Sequence, residues 1–229
     1  MAPATISTDH PGYLSFIPAA PTEAASLFDL VVSASSIYGG SWLEGAGAVY
    51  AENQVLDLLA RECGLPLTSG GVFVQGGTLG NLSALVTARE VAQNKHGAKD
   101  YTIICSTESH SSVKSVAKVI GVATSAADSG ETGAITYESA KAAYEAAVAG
   151  GLTPFAVVGT AGTTNFGIID DLAGLARLAK EKDLWFHIDG AYGLAGILVP
   201  ELKELYAGIE HADSLIVDPH KWLFSPFDA

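Results

Sequence analysis

The sequence predicts an α/β fold, a mostly parallel sheet with helices on both faces, on three observations. From Gly71 onward, short apolar runs alternate with longer stretches of helical period. The apolar runs show no inside–outside alternation, as expected of strands covered on both sides. The ends of four of these runs carry glycines and polar side chains, and such sheets bind ligands beyond the carboxyl ends of their strands.

Taken in order, His10 to Pro21 is rich in Pro and aromatics and reads as an extended arm. Thr22 is a helix cap, with Glu23 in the first turn and Leu27, Leu30 and Val31 following. A glycine-rich passage, Tyr38-Gly39-Gly40-Ser41-Trp42, runs to Gly47. Val49 to Leu59 is a second helical pattern, halted by Gly64 and Pro66. Strands are predicted at Val72–Val74, Tyr101–Cys105, Phe155–Thr160, Leu184–Ile188 and Ser214–Val217. Helices are predicted at Leu79–Asn94, Ser112–Ile120, Tyr137–Ala149 and Leu172–Lys182. Residues 1–47 thus divide off as an arm and helix, and 48–229 as the sheet domain.

A chain of 229 residues is long enough for a substantial core. Twelve Lys and Arg against 25 Asp and Glu give a formal charge of −13, which opposes nucleic acid and anionic membrane as partners. Only 16% of residues are charged and mean hydropathy is +0.30, so apolar surface is expected to be covered by a partner subunit or by further chain. The two cysteines, Cys63 and Cys105, have neither metal nor disulfide spacing, which suits a reducing cytoplasm. Met1 to Ser7 lacks signal-peptide features, and no apolar run reaches membrane-span length.

The chemistry concentrates in the loops after the strands. Gln75-Gly76-Gly77-Thr78-Leu79-Gly80-Asn81 leads into a helix and reads either as an ordinary turn or as an anion cradle of backbone N–H groups. His110, among the hydroxyls of Ser106 to Ser112, is a capping residue or a flat ring for stacking on a planar ligand. Gly159 to Asn165 is a turn or a hydroxyl lining. Asp189 follows an apolar strand, so its carboxylate needs a partner: a turn N–H or a ligand cation such as a pyridinium. Lys221, in Asp218-Pro219-His220-Lys221-Trp222, sits between a strand and an apolar turn. Burial lowers a lysine's pKa, and a partly neutral amine condenses with an aldehyde. A phosphate cradle, a stacking ring, a carboxylate and an amine on one sheet edge meet the needs of pyridoxal phosphate.

With these residues the chain resembles the pyridoxal-phosphate-dependent group II amino-acid decarboxylases. The match is carried by His10-Pro11 with Phe16-Ile17-Pro18, Gly76-Gly77-Thr78 with Asn81-Leu82, and Ser109-His110-Ser111-Ser112. It continues through Gly162-Thr163-Thr164, Trp185-Phe186-His187-Ile188-Asp189 with Ala191-Tyr192, and Asp218-Pro219-His220-Lys221-Trp222. The resemblance implies the large domain of the fold-type-I pyridoxal-phosphate-dependent transferase fold, incomplete at the C-terminus and without the small C-terminal domain. It implies a cytoplasmic enzyme, homodimeric at full length, that decarboxylates a small-molecule amino-acid substrate to an amine and CO2. By the same resemblance Lys221 carries the cofactor, Asp189 holds the pyridine nitrogen protonated and His110 stacks on the ring. Gly77 and Thr78 hold the phosphate through backbone N–H and hydroxyl with His220 nearby, and Thr164 and Ala191 pack around the ring. Asp218 replaces the Asn of some relatives and would stand beside the phosphate, so it receives no role. No metal is expected. The chain reads as a fragment, with weak or no turnover of its own. Two rival readings are another activity on the same scaffold, such as an aminotransferase or an aldehyde-forming enzyme, and a non-catalytic remnant.

Overall fold

The computed structural model describes residues 10–13, 17 and 19–227; Phe16 and Pro18 of the arm motif, and Met1 to Ser7, lie outside the described residues. The helices are α1 (Glu23–Ser35), α2 (Trp42–Glu62), α3 (Gly77–His96), α4 (Ser111–Val119), α5 (Tyr137–Ala149) and α6 (Leu172–Lys182). The strands are β1 (Tyr101–Ser106), β2 (Ala123–Ala127), β3 (Thr153–Thr160), β4 (Trp185–Asp189) and β5 (Ser214–Ile216). All pair in parallel, in the order β2-β1-β3-β4-β5.

The absence of alternation in the strands has a direct structural cause. Ile104 of β1 and Val157 of β3 face the core shared with α5 and α6, alongside Leu172, Leu175 and Leu178. Their neighbours Ile103, Cys105, Ala156 and Val158 face the opposite core, with Leu85 of α3 and Val113 of α4. Successive residues enter different cores, so every position must be apolar. Ile104 is fully buried, and Ile104→Val is expected to lower stability by about 1 kcal/mol in urea unfolding.

Local chemistry sets the helix starts. Thr22 caps α1 by accepting from the Ala25 N–H at 3.1 Å. Thr136 and Ser139 form a reciprocal capping box at α5, and Asp171 accepts from Gly174 N–H at 2.9 Å at α6. α2 starts at Trp42, capped by Ser41, so it reaches back into the glycine-rich passage and crosses the boundary drawn at residue 47. Asp183, in the left-handed conformation at the end of α6, closes that helix.

Two strand expectations need correction. Val72–Val74 is not a strand, because a groove of about 340 Å³ separates it from the edge of β5. The Phe73 N–H donates instead to Glu52 Oε1 of α2 at 2.6 Å. Conversely, Ala123–Ala127 forms the edge strand β2; its residues, ATSAA, are small and only partly buried, so it lacks an apolar run. The groove and the bare faces of α1 leave apolar side chains exposed, including Phe28, Leu30 and Val72 at 64–72%. Among the described residues no helix is long and apolar enough to cross a membrane.

Candidate active site

The sheet order reverses between β1 and β3, the switch point beside which such sheets bind ligands. Of the polar stretches read from the sequence, those at His110, Thr164, Asp189 and Lys221 follow the ends of β1, β3, β4 and β5, while Gln75 to Asn81 follows no strand and leads into α3. Asp189 is the last residue of β4, in register with Thr160 on one side and Ile216 on the other. It is 5% exposed. Its Oδ1 accepts from the Ala191 N–H at 3.2 Å and its Oδ2 from Asn81 Nδ2 at 3.0 Å. Both oxygens therefore face donors, as a buried carboxylate requires.

Lys221 lies in the turn after β5. The Asp218 N–H donates to Ala191 O at 3.2 Å, which ties that turn to the loop after β4. Lys221 Nζ is 2.7 Å from Asp218 Oδ2, with side chains 18% and 9% exposed. The amine is thus one half of a nearly buried ion pair, not alone in apolar surroundings as the sequence suggested. Asp218 also stands at the start of α3, where a Cβ on Gly77 would lie 3.1 Å from both of its carboxylate oxygens. Glycine at 77 is what lets that carboxylate approach the positive end of the helix.

The remaining predicted residues are placed unevenly. His220 is buried, with Nδ1 unpartnered and Nε2 3.8 Å from Asp218 Oδ2; burial lowers its pKa, with Asp218 acting in the opposite sense. Ala191 and Gly77 are half-buried beside this cluster, and Tyr192 stacks on Trp222 at 5.5 Å to close its flank. His110 is exposed and caps α4, its Nδ1 accepting from the Ser112 N–H at 3.2 Å, so the capping reading of this residue holds as geometry. Thr78 and Thr164 are exposed.

The structure adds residues that received no role in the sequence reading. Asn81 donates to Ser112 Oγ at 2.9 Å as well as to Asp189, and its Oδ1 is 2.8 Å from His187 Nε2. Ser112 Oγ is in turn 2.8 Å from His110 Nδ1. Asn81 is one turn beyond Gly77, and an amide facing the core from a helix interior was the available signal. Burial pulls His187 down to about 4, the neighbouring Asp189 opposing, so its ring is neutral at physiological pH.

The loop after β3 is held by Asp170, which accepts from Thr160 N–H at 2.7 Å and Ile135 N–H at 2.8 Å. Within that loop Gly162 has φ of +95°, and a Cβ there would lie 2.7 Å from Gly193 Cα, so only glycine fits. Burial pushes the Asp170 carboxyl up to about 6, against the pull of those two N–H donors. The native state therefore keeps a proton that the unfolded chain, at 3.8, has lost. This group favours the fold most below pH 4, and its contribution fades as pH rises through 6. Relative to Asp170→Asn, the wild type is expected to lose about 2 kcal/mol between pH 4 and pH 7. Urea unfolding of both proteins at the two pH values measures it; an unchanged gap refutes the buried titration.

Other chemistries find little support. Burial pushes the Cys63 and Cys105 thiols up to about 12 and about 11, leaving them protonated and poor nucleophiles. Among the described residues no group of three or more His, Cys, Asp and Glu is placed to hold a metal ion. The donor set does fit pyridoxal phosphate: an amine, a buried carboxylate, an orphaned imidazole nitrogen on His220, and a helix start with no side-chain cap. Asp218 is the one ill-matched member, since its charge opposes that of a phosphate.

Comparison with known proteins points the same way. Residues 2–229 match the family model described as the pyridoxal-dependent decarboxylase conserved domain. An aromatic-L-amino-acid decarboxylase of Bacillus atrophaeus is 35% identical over 223 residues, 96% of this chain and 46% of that protein. The chain thus spans about half the length of the curated relatives it matches. The glutamate decarboxylase domain of a Vibrio parahaemolyticus protein superposes with a TM-score of 0.90 at 32% identity, over 96% of this chain and 51% of that one. The Oryza sativa TDC structure with PLP superposes with a TM-score of 0.86 at 27% identity, over 93% of this chain and 50% of that one.

Proposed function

The chain belongs to the pyridoxal-dependent decarboxylase family, and from that premise we propose that the protein containing it converts an L-amino acid to an amine and CO2. The observation that carries the reading is the convergence of Asp189, at the end of β4, and Lys221, just after β5, on one edge of the sheet.

Pyridoxal phosphate, when bound, supplies the electron sink that takes up the electrons left as the carboxylate departs. The chain's own residues would do the rest. Lys221, whose Nζ pairs with Asp218, would hold the cofactor through its primary amine. Asp189 keeps a proton on the pyridine nitrogen, and its buried setting excludes water from that contact. Gly77, Thr78 and His220 hold the phosphate at the start of α3, while His110, Thr164 and Ala191 flank the ring. An aromatic amino acid is the proposed substrate, supported by the Bacillus atrophaeus relative.

A homodimer is proposed to cover α1, of which no residue is buried. Two buried, unpaired cysteines support a reducing compartment, the cytoplasm.

The test is product analysis of the protein loaded with pyridoxal phosphate and given L-tryptophan, L-tyrosine or L-glutamate. Amine and CO2 in equal amounts are expected, with an aromatic substrate favoured. A keto acid would identify an aminotransferase and an aldehyde an oxidative relative; either would overturn the decarboxylase reading.

A further inference from the structure

We infer that Asn81 and His187 are positioning residues: a His187 ring carrying its proton on Nε2 locks the Asn81 amide so that its two N–H bonds serve Asp189 and Ser112. The arrangement is a matter of this chain's geometry alone; its consequence for cofactor binding rests on the functional reading above.

The amide has two orientations, and the contacts choose between them. With Oδ1 toward His187, Asn81 accepts at 2.8 Å from Nε2–H and donates at 3.0 Å to Asp189 Oδ2 and at 2.9 Å to Ser112 Oγ. Flipped, the amide would set its oxygen against the Asp189 carboxylate at that same 3.0 Å, an acceptor facing an acceptor. The first orientation requires the His187 proton on Nε2, which leaves Nδ1 as an acceptor.

Nδ1 is 2.8 Å from Ser214 Oγ, and that oxygen already accepts from Trp185 Nε1 at 2.8 Å. The Ser214 hydroxyl proton is therefore free to point at Nδ1. Donors run in one direction, from Trp185 through Ser214, His187 and Asn81 to Asp189. A branch continues from Asn81 through Ser112 Oγ to His110 Nδ1 at 2.8 Å, which places the remaining His110 proton on Nε2.

Asn81, Ser112, His187 and Asp189 are between 0% and 5% exposed, so water does not substitute for a missing member. One amide thus orients the carboxylate assigned to the pyridine nitrogen and, through Ser112 Oγ, adds a second donor to the His110 Nδ1 that already accepts from the Ser112 N–H.

The test reads histidine ring ¹⁵N shifts in the cofactor-free protein at neutral pH, with His187→Gln used to assign the signal. The wild type is expected to show His187 protonated on Nε2 and bare on Nδ1. Asn81→Asp sets a second carboxylate against the ring and is expected to protonate both nitrogens. Ser214→Ala, which leaves the Asn81 contact intact, is expected to move the Nδ1 signal alone. A proton on Nδ1 in the wild type overturns the arrangement. Pyridoxal phosphate titration then tests positioning: Asn81→Ala is expected to bind about tenfold more weakly, for loss of a hydrogen bond to a charged group. Equal affinity in the two proteins overturns the positioning role. If the tautomer is as stated and the wild type itself fails to bind the cofactor, the arrangement stands and the functional reading falls.

Discussion

Lys221→Ala is expected to abolish covalent retention of pyridoxal phosphate. Wild-type protein mixed with the cofactor, reduced with borohydride and weighed by mass spectrometry should carry one phosphopyridoxyl group; the variant should carry none at this position. The reason is chemical. Condensation with an aldehyde needs a primary amine, and Lys221 is the lysine that the fold sets beside Asp218 and the end of β4. The substitution also strips Asp218 of its partner, and breaking a buried ion pair by removing one member costs about 3–5 kcal/mol. Unfolding is therefore a competing explanation for lost binding. Lys221→Arg separates the two, because a guanidinium still pairs with Asp218 yet forms no stable adduct with an aldehyde. A folded Lys221→Arg protein without label supports the assignment. Labelling of peptide 221 at wild-type stoichiometry in neither protein, or of another lysine in both, removes Lys221 from the reaction.

Much of this site was legible in the sequence because its parts obey local rules. The α5 and α6 limits matched to the residue, since Thr136 and Asp171 are side-chain caps and the apolar period begins straight after them. Asp189 and Lys221 were legible because each follows an apolar run, and strand ends in such sheets share one edge. What escaped depends on neighbours. Val72–Val74 has strand-forming residues, yet a strand exists only where a partner backbone accepts it, and here a groove intervenes. Strand β2 is made by its pairing with β1, not by its own small residues. Asn81, Ser112, His187 and Ser214 lie far apart in sequence, and no local pattern links them. Asp218 was left without a role because its charge opposed a phosphate; the structure gives it one partner, Lys221, and so a part in holding the amine.

Asp189→Asn is the sharper test of the proposed chemistry, because the change keeps shape and removes the charge together with one of two acceptor oxygens. The asparagine keeps one acceptor, its oxygen toward Asn81 Nδ2, and gives up the hydrogen bond from the Ala191 N–H, a modest cost that the fold around β4 should survive. What it cannot do is balance a proton on a pyridine nitrogen, and at a position this buried the lost electrostatic stabilisation is large. Turnover by the loaded protein is expected to fall about a thousandfold, the upper range for removing one preorganised polar partner from a reaction's charge. The loss should appear in kcat more than in KM, since charge builds on the ring only as the substrate carboxylate leaves. Retained label at Lys221 in the same variant would show that the amine still works and that the defect lies in the charge at position 189. Near-wild-type turnover with Asn at 189 would mean that the pyridine nitrogen has no partner there, and the site would have to be rebuilt around another residue.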